Sequence, residues 1–352
     1  MISEKTIGVY KNSSISLFKL ENKQGMIVEI SNYGGIIFKI VVPDRNGKMN
    51  DVVLGFDNLS QYINQTNYFG VIIGRYANRI AAGNFTLNGE HYQLVTNNEN
   101  NALHGGLHGF DKKVWASEPY KTNKSVGLTL KLSSPDGDEG YPGNLDVIVK
   151  YDLNNKNELR INYSAITDRP TIINLTNHSY FNLNGGKSET ILDHILTINA
   201  SAFTPFNENS IPTGEIHSVD DTPLDFRLPK RINDNFTKLL IEQPKLDNGF
   251  DHNFVLNKVE EELSFACKIY DPKSGRILEV FTTEPGMQFY TANHLDGNLK
   301  GKNGKNYIRY SGFCIETQHY PDSPNQPNFP TTVLNPNEKF ESSTIFRFSA
   351  QN

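Results

Sequence analysis

The sequence predicts an all-β protein, a single large antiparallel β-sandwich with few short helices. Three observations carry that expectation. Short runs that mix β-branched and aromatic residues, with apolar and polar positions alternating, recur along most of the 352 residues. Asparagine, aspartate and glycine, which tolerate the positive φ of tight turns, stand between many of these runs. No long stretch repeats apolar residues at a spacing of three and four, and strands do not alternate with helices. A doubly wound parallel sheet or a TIM barrel is therefore disfavoured.

In chain order, the pattern predicts strands over residues 14–20, 26–30 and 36–42. A hairpin follows, in which 85–87 and 91–94 flank Asn88-Gly89, a dipeptide suited to a two-residue type I′ turn. Further strands are expected over 126–132, 146–153, 159–165, 263–270, 277–283 and 345–349. Helical signal is confined to 59–65 and 233–243. At about 150 residues per domain the length suggests about 2.3 domains. No linker, charge block or internal repeat divides the chain, however, so residues 1–352 read as one β domain.

Composition narrows the function classes. With 37% hydrophobic and 21% charged residues the chain is too apolar to be disordered. Lys+Arg at 34 against Asp+Glu at 39 leaves a net charge of −5, so no strong field draws the protein to nucleic acid or to an anionic membrane. The N-terminus has no basic segment leading into an apolar run, and no run approaches a membrane span; a cytoplasmic, unexported protein is expected. Sequons such as Asn84-Phe85-Thr86 then read as accidents of an asparagine-rich composition. Cys267 and Cys314 lie far apart in apolar runs, where buried reduced thiols are expected rather than a disulfide or a zinc site.

Six polar clusters interrupt the strand pattern. In residues 74–85, Arg75 and Arg79 suit either paired hydrogen bonds to hydroxyls or carboxylates or plain surface ion pairs. Residues 101–115 hold His104 and His108 around paired glycines; the spacing resembles a metal pair, but HGGLH does not suit a helix and no third ligand stands at metal spacing. Residues 174–183 place His178 among Asn177, Tyr180 and Asn182, which suits a proton donor or a hydrogen-bonded structural histidine. Asp251 and His252 enter a strand within 249–256, and Glu284 and Gln288 lie in 282–295; each suits an ordinary loop equally well. Glu316 is bracketed by Phe313, Cys314 and Ile315, and burial there raises a carboxyl pKa and makes a better base near neutral pH. The Pro-rich stretch after it excludes ladder structure and predicts a defined loop beside that strand.

Taken together, the clusters resemble the aldose 1-epimerases, also called galactose mutarotases. GRYANRIAAGNF, NALHGGLHGFDKKVW, DEGYPGNLDVIVKY, NLTNHSYFNL, TPLDFR, GFDHNF, EPGMQFYTANHL and GFCIETQHYPDSPNQPNFP follow the family's order over nearly the whole chain. The resemblance implies the galactose mutarotase-like supersandwich. It implies Glu316 as general base and His178 as general acid, with Arg79, His104, Asp251 and Gln288 in the active site and Asn78 and Tyr180 lining it. The implied reaction interconverts α and β anomers of aldohexoses such as glucose and galactose by acid/base ring opening, with no cofactor and no metal. Phe289 suits either stacking on the sugar or the core. The weighed alternatives are a non-catalytic sugar-binding protein, a sugar-phosphate epimerase and, more remotely, a glycoside hydrolase, which needs a carboxylate pair where this pattern offers a histidine. No residue pattern distinguishes a monomer from a homodimer.

Overall fold

A computed structural model describes residues 1–64, 67–186, 189–242, 249–259 and 262–351. The chain opens with β1 (Ile2–Tyr10), β2 (Ser13–Glu21), β3 (Ile27–Ser31), β4 (Ile37–Pro43) and β5 (Met49–Asp51), paired antiparallel in that order as one sheet. After α1 (Leu59–Ile63) comes the hairpin of β6 (Asn84–Leu87) and β7 (Glu90–Gln93). Then follow β8 (Ala116–Lys121), β9 (Ser125–Ser134), β10 (Leu145–Asn154), β11 (Glu158–Thr167), β12 (Ile195–Ile198), β13 (Ala200–Thr204) and α2 (Ile232–Glu242). The last strands are β14 (Asp251–Leu256), β15 (Ser264–Tyr270), β16 (Arg276–Thr282), β17 (Gly286–Tyr290), β18 (Phe313–Gln318) and β19 (Phe340–Ala350).

Two larger antiparallel sheets make the sandwich. One has nine strands in the order β8-β9-β10-β11-β19-β16-β15-β12, ending on Lys230–Arg231. The other has six, in which Tyr180–Phe181 borders β18, then β17, β14 and β13, and His217–Ser218 closes the far edge. Side chains on a strand alternate faces, so the register of the six-stranded sheet sorts it cleanly. Phe254 opposite Met287, and Phe289 opposite Ile315, point one way and join a buried core shared with Leu128, Val149, Ile161 and Val280 of the nine-stranded sheet. Phe18, Val28 and Ile40 extend that core into the first sheet. The opposite face carries Asn253, Gln288 and Glu316 side by side, a polar row on an otherwise apolar strand set.

The predicted strands are all present; some are extended at their ends and others are shifted by a residue, with 263–270 one residue shorter. The largest difference is β19, where the serines before Ile345 continue the ladder through pairing with β11 and β16 on either side. The Asn88-Gly89 turn is as expected: both residues have positive φ (52° and 81°), and Leu87 pairs directly with Glu90. Helix α1 stops at Asn64, its start capped by the Asn58 side chain on the Gln61 N–H. Gln65 and Gln243, the predicted last residues of the two helices, lie outside the described residues. Sequence patterning missed β1, whose residues are mostly exposed, and the edge strand β8, whose alternation is weak because one flank faces solvent. No helix among the described residues is long and apolar enough to cross a membrane.

Candidate active site

Six segments converge on the polar face of the six-stranded sheet. Strand β18 supplies Glu316, and the cross-strand neighbours of Glu316 and Cys314 on β17 are Gln288 and Tyr290. On β14, Asn253 and Asp251 continue the same two rows. The Gln288 amide donates to Asp251 Oδ1 at 2.6 Å, which orients both side chains. Neighbouring strands lie about 4.8 Å apart, so the row Glu316–Gln288–Asn253 spaces polar groups at the scale of a sugar ring.

The other wall comes from chain held by short bridges. Arg79–Ile80 pairs with Ala102–Leu103, which brings Asn78 and His104 together. The Asn78 N–H donates to His104 Nδ1 at 3.1 Å, and the His104 N–H donates to the Asn78 carbonyl at 3.1 Å. Nδ1 is thereby the unprotonated nitrogen, and Nε2 of His104 carries the proton. Both residues are left-handed, φ 66° and 51°. His178 follows Thr176–Asn177, which pairs with Ile72–Ile73. Its Nε2 lies 3.5 Å from Glu316 Oε1 and its Nδ1 lies 3.5 Å from Cys314 Sγ. The His104 and His178 rings meet edge to face at 5.2 Å.

A cleft opens onto this face, lined by Asn78, Arg79, Asp251 and Gln288 together with Asn253, Thr204, Phe206, Ser210, Pro212 and Pro321. Glu316, the cross-strand neighbour of the lining residue Gln288, and His178, in contact with Glu316, lie behind the lining residues and are almost fully buried. Among the described residues, the buried atoms Glu316 Oε2, Gln288 Oε1 and Asn253 Oδ1 have no hydrogen-bond partner. Native proteins seldom leave such atoms unpaired, and a ligand carrying several hydroxyls would satisfy all three.

Burial sets the charges. It pushes the Glu316 carboxyl well above the usual carboxylate range; Asp251 adds to that shift and Arg79 opposes it. The same dry surroundings lower His178 to about 4, against a smaller opposing hydrogen bond from its own backbone carbonyl. His104 is also held well below its ordinary value, by burial first and then by His178 and Arg79. Burial therefore favours a neutral carboxylic acid beside a neutral imidazole, a pair holding one proton between them.

Of the eight site residues named from sequence, all lie at or beside this cleft, but Tyr180 differs in kind. Its hydroxyl donates to the Asn67 carbonyl at 2.9 Å, and its ring packs on His178 and Phe69 at 5.0 and 4.5 Å. It presents a buried aromatic wall rather than a free hydroxyl. Phe289 belongs to the core. Arg75 fits neither role open to it: it is buried, and donates to Ser134 Oγ and to the carbonyls of Ser134, Pro135 and Pro142. Glu284 is buried against His319 Nδ1 at 2.7 Å and does not line the cleft. His108 is exposed, so the spacing of His104 and His108 makes no pair.

A different trio, His104, His178 and Glu316, offers ligand atoms within 4.8 Å of one another. That spread reaches beyond the roughly 3.3–3.5 Å that bonds of about 2.0–2.1 Å impose on a tetrahedral ion, and the trio fits proton exchange better. Sequence reasoning missed Asn253, Cys314 and the Thr204–Pro212 wall. The first two were within reach, since each stands two residues from a named acid and so shares its face. The wall comes from a partner strand with no local signal.

A family model described as aldose 1-epimerase matches residues 16–347. The chain belongs to the aldose 1-epimerase family. It is 48% identical over 336 residues to the galactose mutarotase of Bos taurus, covering 96% of this chain and 94% of that protein. It is 35% identical over 337 residues to the aldose 1-epimerase of Escherichia coli (strain K12), covering 95% of each. Among solved structures, a galactose 1-epimerase from Lactobacillus acidophilus NCFM superposes with a TM-score of 0.87 at 30% identity, covering 100% of this chain and 99% of that one. The chain is thus an isomerase with aldose 1-epimerase activity, and the sugar-binding and hydrolase alternatives are not favoured.

Proposed function

We propose that Glu316 and His178 open and reclose the pyranose ring of an uncharged aldohexose bound in the cleft. The supporting observation is the buried contact of 3.5 Å between the two groups, in a sheet face where Glu316 Oε2, Gln288 Oε1 and Asn253 Oδ1 have no hydrogen-bond partner among the described residues. Ring opening removes the proton from the anomeric hydroxyl while the ring oxygen takes one up. The C1–O5 bond breaks and C1=O1 forms, leaving the free aldehyde. Rotation about C1–C2 turns the other face of the aldehyde to O5. The O5 hydroxyl then adds to C1, its proton returns to the donor, and O1 regains its own from the base. Protons balance, and the pair ends as it began.

Glu316 is the base and His178 the acid in this scheme. Their working form, carboxylate and imidazolium, holds the same single proton as the neutral pair, so a shift of that proton across the contact prepares the site. Sugar hydroxyls donating to Glu316 Oε2 favour the carboxylate. Arg79 and His104 Nε2–H steady charge on the sugar oxygens as the ring opens, and Asp251, Gln288 and Asn78 fix the remaining hydroxyls. Arg79 is the one cation lining the cleft among the described residues, and its Nε is already bonded to Asn98 Oδ1 at 3.0 Å, which favours an uncharged sugar over a phosphorylated one. The free, buried thiols of Cys267 and Cys314 suit a reducing cytoplasm.

Polarimetry tests the assignment. Glu316→Gln and His178→Asn are each expected to lower kcat by about 10²- to 10⁴-fold, the usual worth of one positioned proton transfer, with an unchanged circular dichroism spectrum. Turnover near that of the wild type in either variant would sink the assignment.

A further inference from the structure

Tyr68 is absent from the cleft lining, yet it packs against both histidines, which also touch each other. Its ring meets His104 edge-on at 4.7 Å and lies tilted against His178 at 5.9 Å. The backbone around it is clamped to the strand that carries His178. The Tyr180 hydroxyl holds the Asn67 carbonyl, the Gly70 N–H donates to the His178 carbonyl at 2.9 Å, and the His178 N–H donates to Val71 O at 2.9 Å. Asn177 Nδ2 adds bonds to the Gly70 and Val71 carbonyls. Between these clamps Tyr68 adopts φ 58°, a left-handed conformation disfavoured for a bulky side chain. Among the described residues only Tyr68, His104 and Tyr310 combine a ring with such a φ, and the first two touch each other here. Strain of this kind persists where the surroundings over-determine it, and it gathers at functional sites.

We propose that Tyr68 is a positioning residue for the reaction, its ring seating the two contacting imidazoles from one side and keeping water from His178. The inference rests on His178 acting as the proton donor. The groups facing His178 are Glu316 and Cys314 from β18, Tyr290 from β17, Tyr180 beyond it in the chain, His104, and Tyr68 itself. None of the others is placed to replace the Tyr68 ring, because each is fixed to its own strand or bridge. The Tyr68 hydroxyl meets only Asn97 Nδ2, at 3.5 Å, so the ring rather than the hydroxyl carries the role.

The test uses Tyr68→Phe, Tyr68→Ala and Tyr68→Gly, with the His178 titration followed by NMR of ¹³Cε1-labelled histidine and kcat by polarimetry. His178→Asn identifies the signal among the nine histidines. Tyr68→Phe is expected to keep both properties. Tyr68→Ala and Tyr68→Gly are expected to raise the His178 titration from about 4 toward the ordinary value of about 6.5. In both, kcat falls about tenfold with KM changed less than about twofold, the pattern of a lost positioning effect. Glycine accepts the left-handed φ, so Tyr68→Gly melts above Tyr68→Ala and remains usable if the alanine variant fails to fold. A titration left at its wild-type value in the glycine variant overturns the proposal, whatever happens to kcat. A raised titration with unchanged kcat supports the placement of the ring and instead overturns His178 as the donor.

Discussion

Burial shifts the Glu316 carboxyl up and the His178 imidazole down, and the sign of each shift fixes the expected pH dependence. Between the two titrations the pair holds one proton, which is what acid/base catalysis needs. Below about 4, where His178 takes up a second proton while Glu316 keeps its own, no base remains and activity falls. Above the raised Glu316 value the last proton leaves and no acid remains. The acid limb of kcat/KM is therefore expected near 4, below the usual histidine range; an acid limb centred near 6.5 would show that His178 titrates as an ordinary exposed imidazole. The carboxyl half of this was legible in the sequence, because Phe313, Cys314 and Ile315 announce burial around Glu316. The fate of the two arginines was not. Arg75 and Arg79 stand four apart in one motif, yet Arg75 is spent on carbonyls about 60 residues away while Arg79 reaches the cleft. Nothing local separates them.

At the scale of the element, β18 shows how one strand serves two masters. Its odd positions, Phe313 and Ile315, face the core, and its even positions, Cys314 and Glu316, face the site, with the whole strand buried. Substitutions on the two faces are expected to separate stability from chemistry. Ile315→Ala should cost about 2–5 kcal/mol of folding stability, as large-to-small changes in a packed core do, read from the urea midpoint. The kcat of the folded fraction should stay within about twofold, since nothing at the reacting atoms is removed. A stable variant with lost turnover would contradict this division. Strands with clear alternation, such as β10 and β11, were readable from sequence for the same reason. Strand β1 and the edge strand β8 were not, since exposed flanks remove the pattern that marks a buried face.

Across the whole molecule, the site depends on segments far apart in sequence: residues 67–79 and 101–104, the His178 bridge, and strands β14, β17 and β18. The sandwich brings them together by giving the six-stranded sheet one apolar face to bury and one polar face to expose to the cleft. Buried Arg276 ties the first sheet to the rest by donating to the carbonyls of Val42, Lys48 and Leu183 and to Asn50 Oδ1. A net charge of −5 suits the uncharged aldohexose proposed as substrate, which needs no steering. The fold class and the catalytic motifs were legible because they are written locally, whereas the Thr204–Pro212 wall and the Tyr68 contacts arise only when strands pair. The account stands on one proton pair opening the ring, and the double variant Glu316→Gln/His178→Asn tests it most directly. With freshly dissolved α-D-galactose, its optical rotation should relax no faster than in buffer, and the loss should be far less than the product of the two single losses, as for residues that act as a unit. Relaxation clearly faster than buffer in the double variant would contradict the assignment.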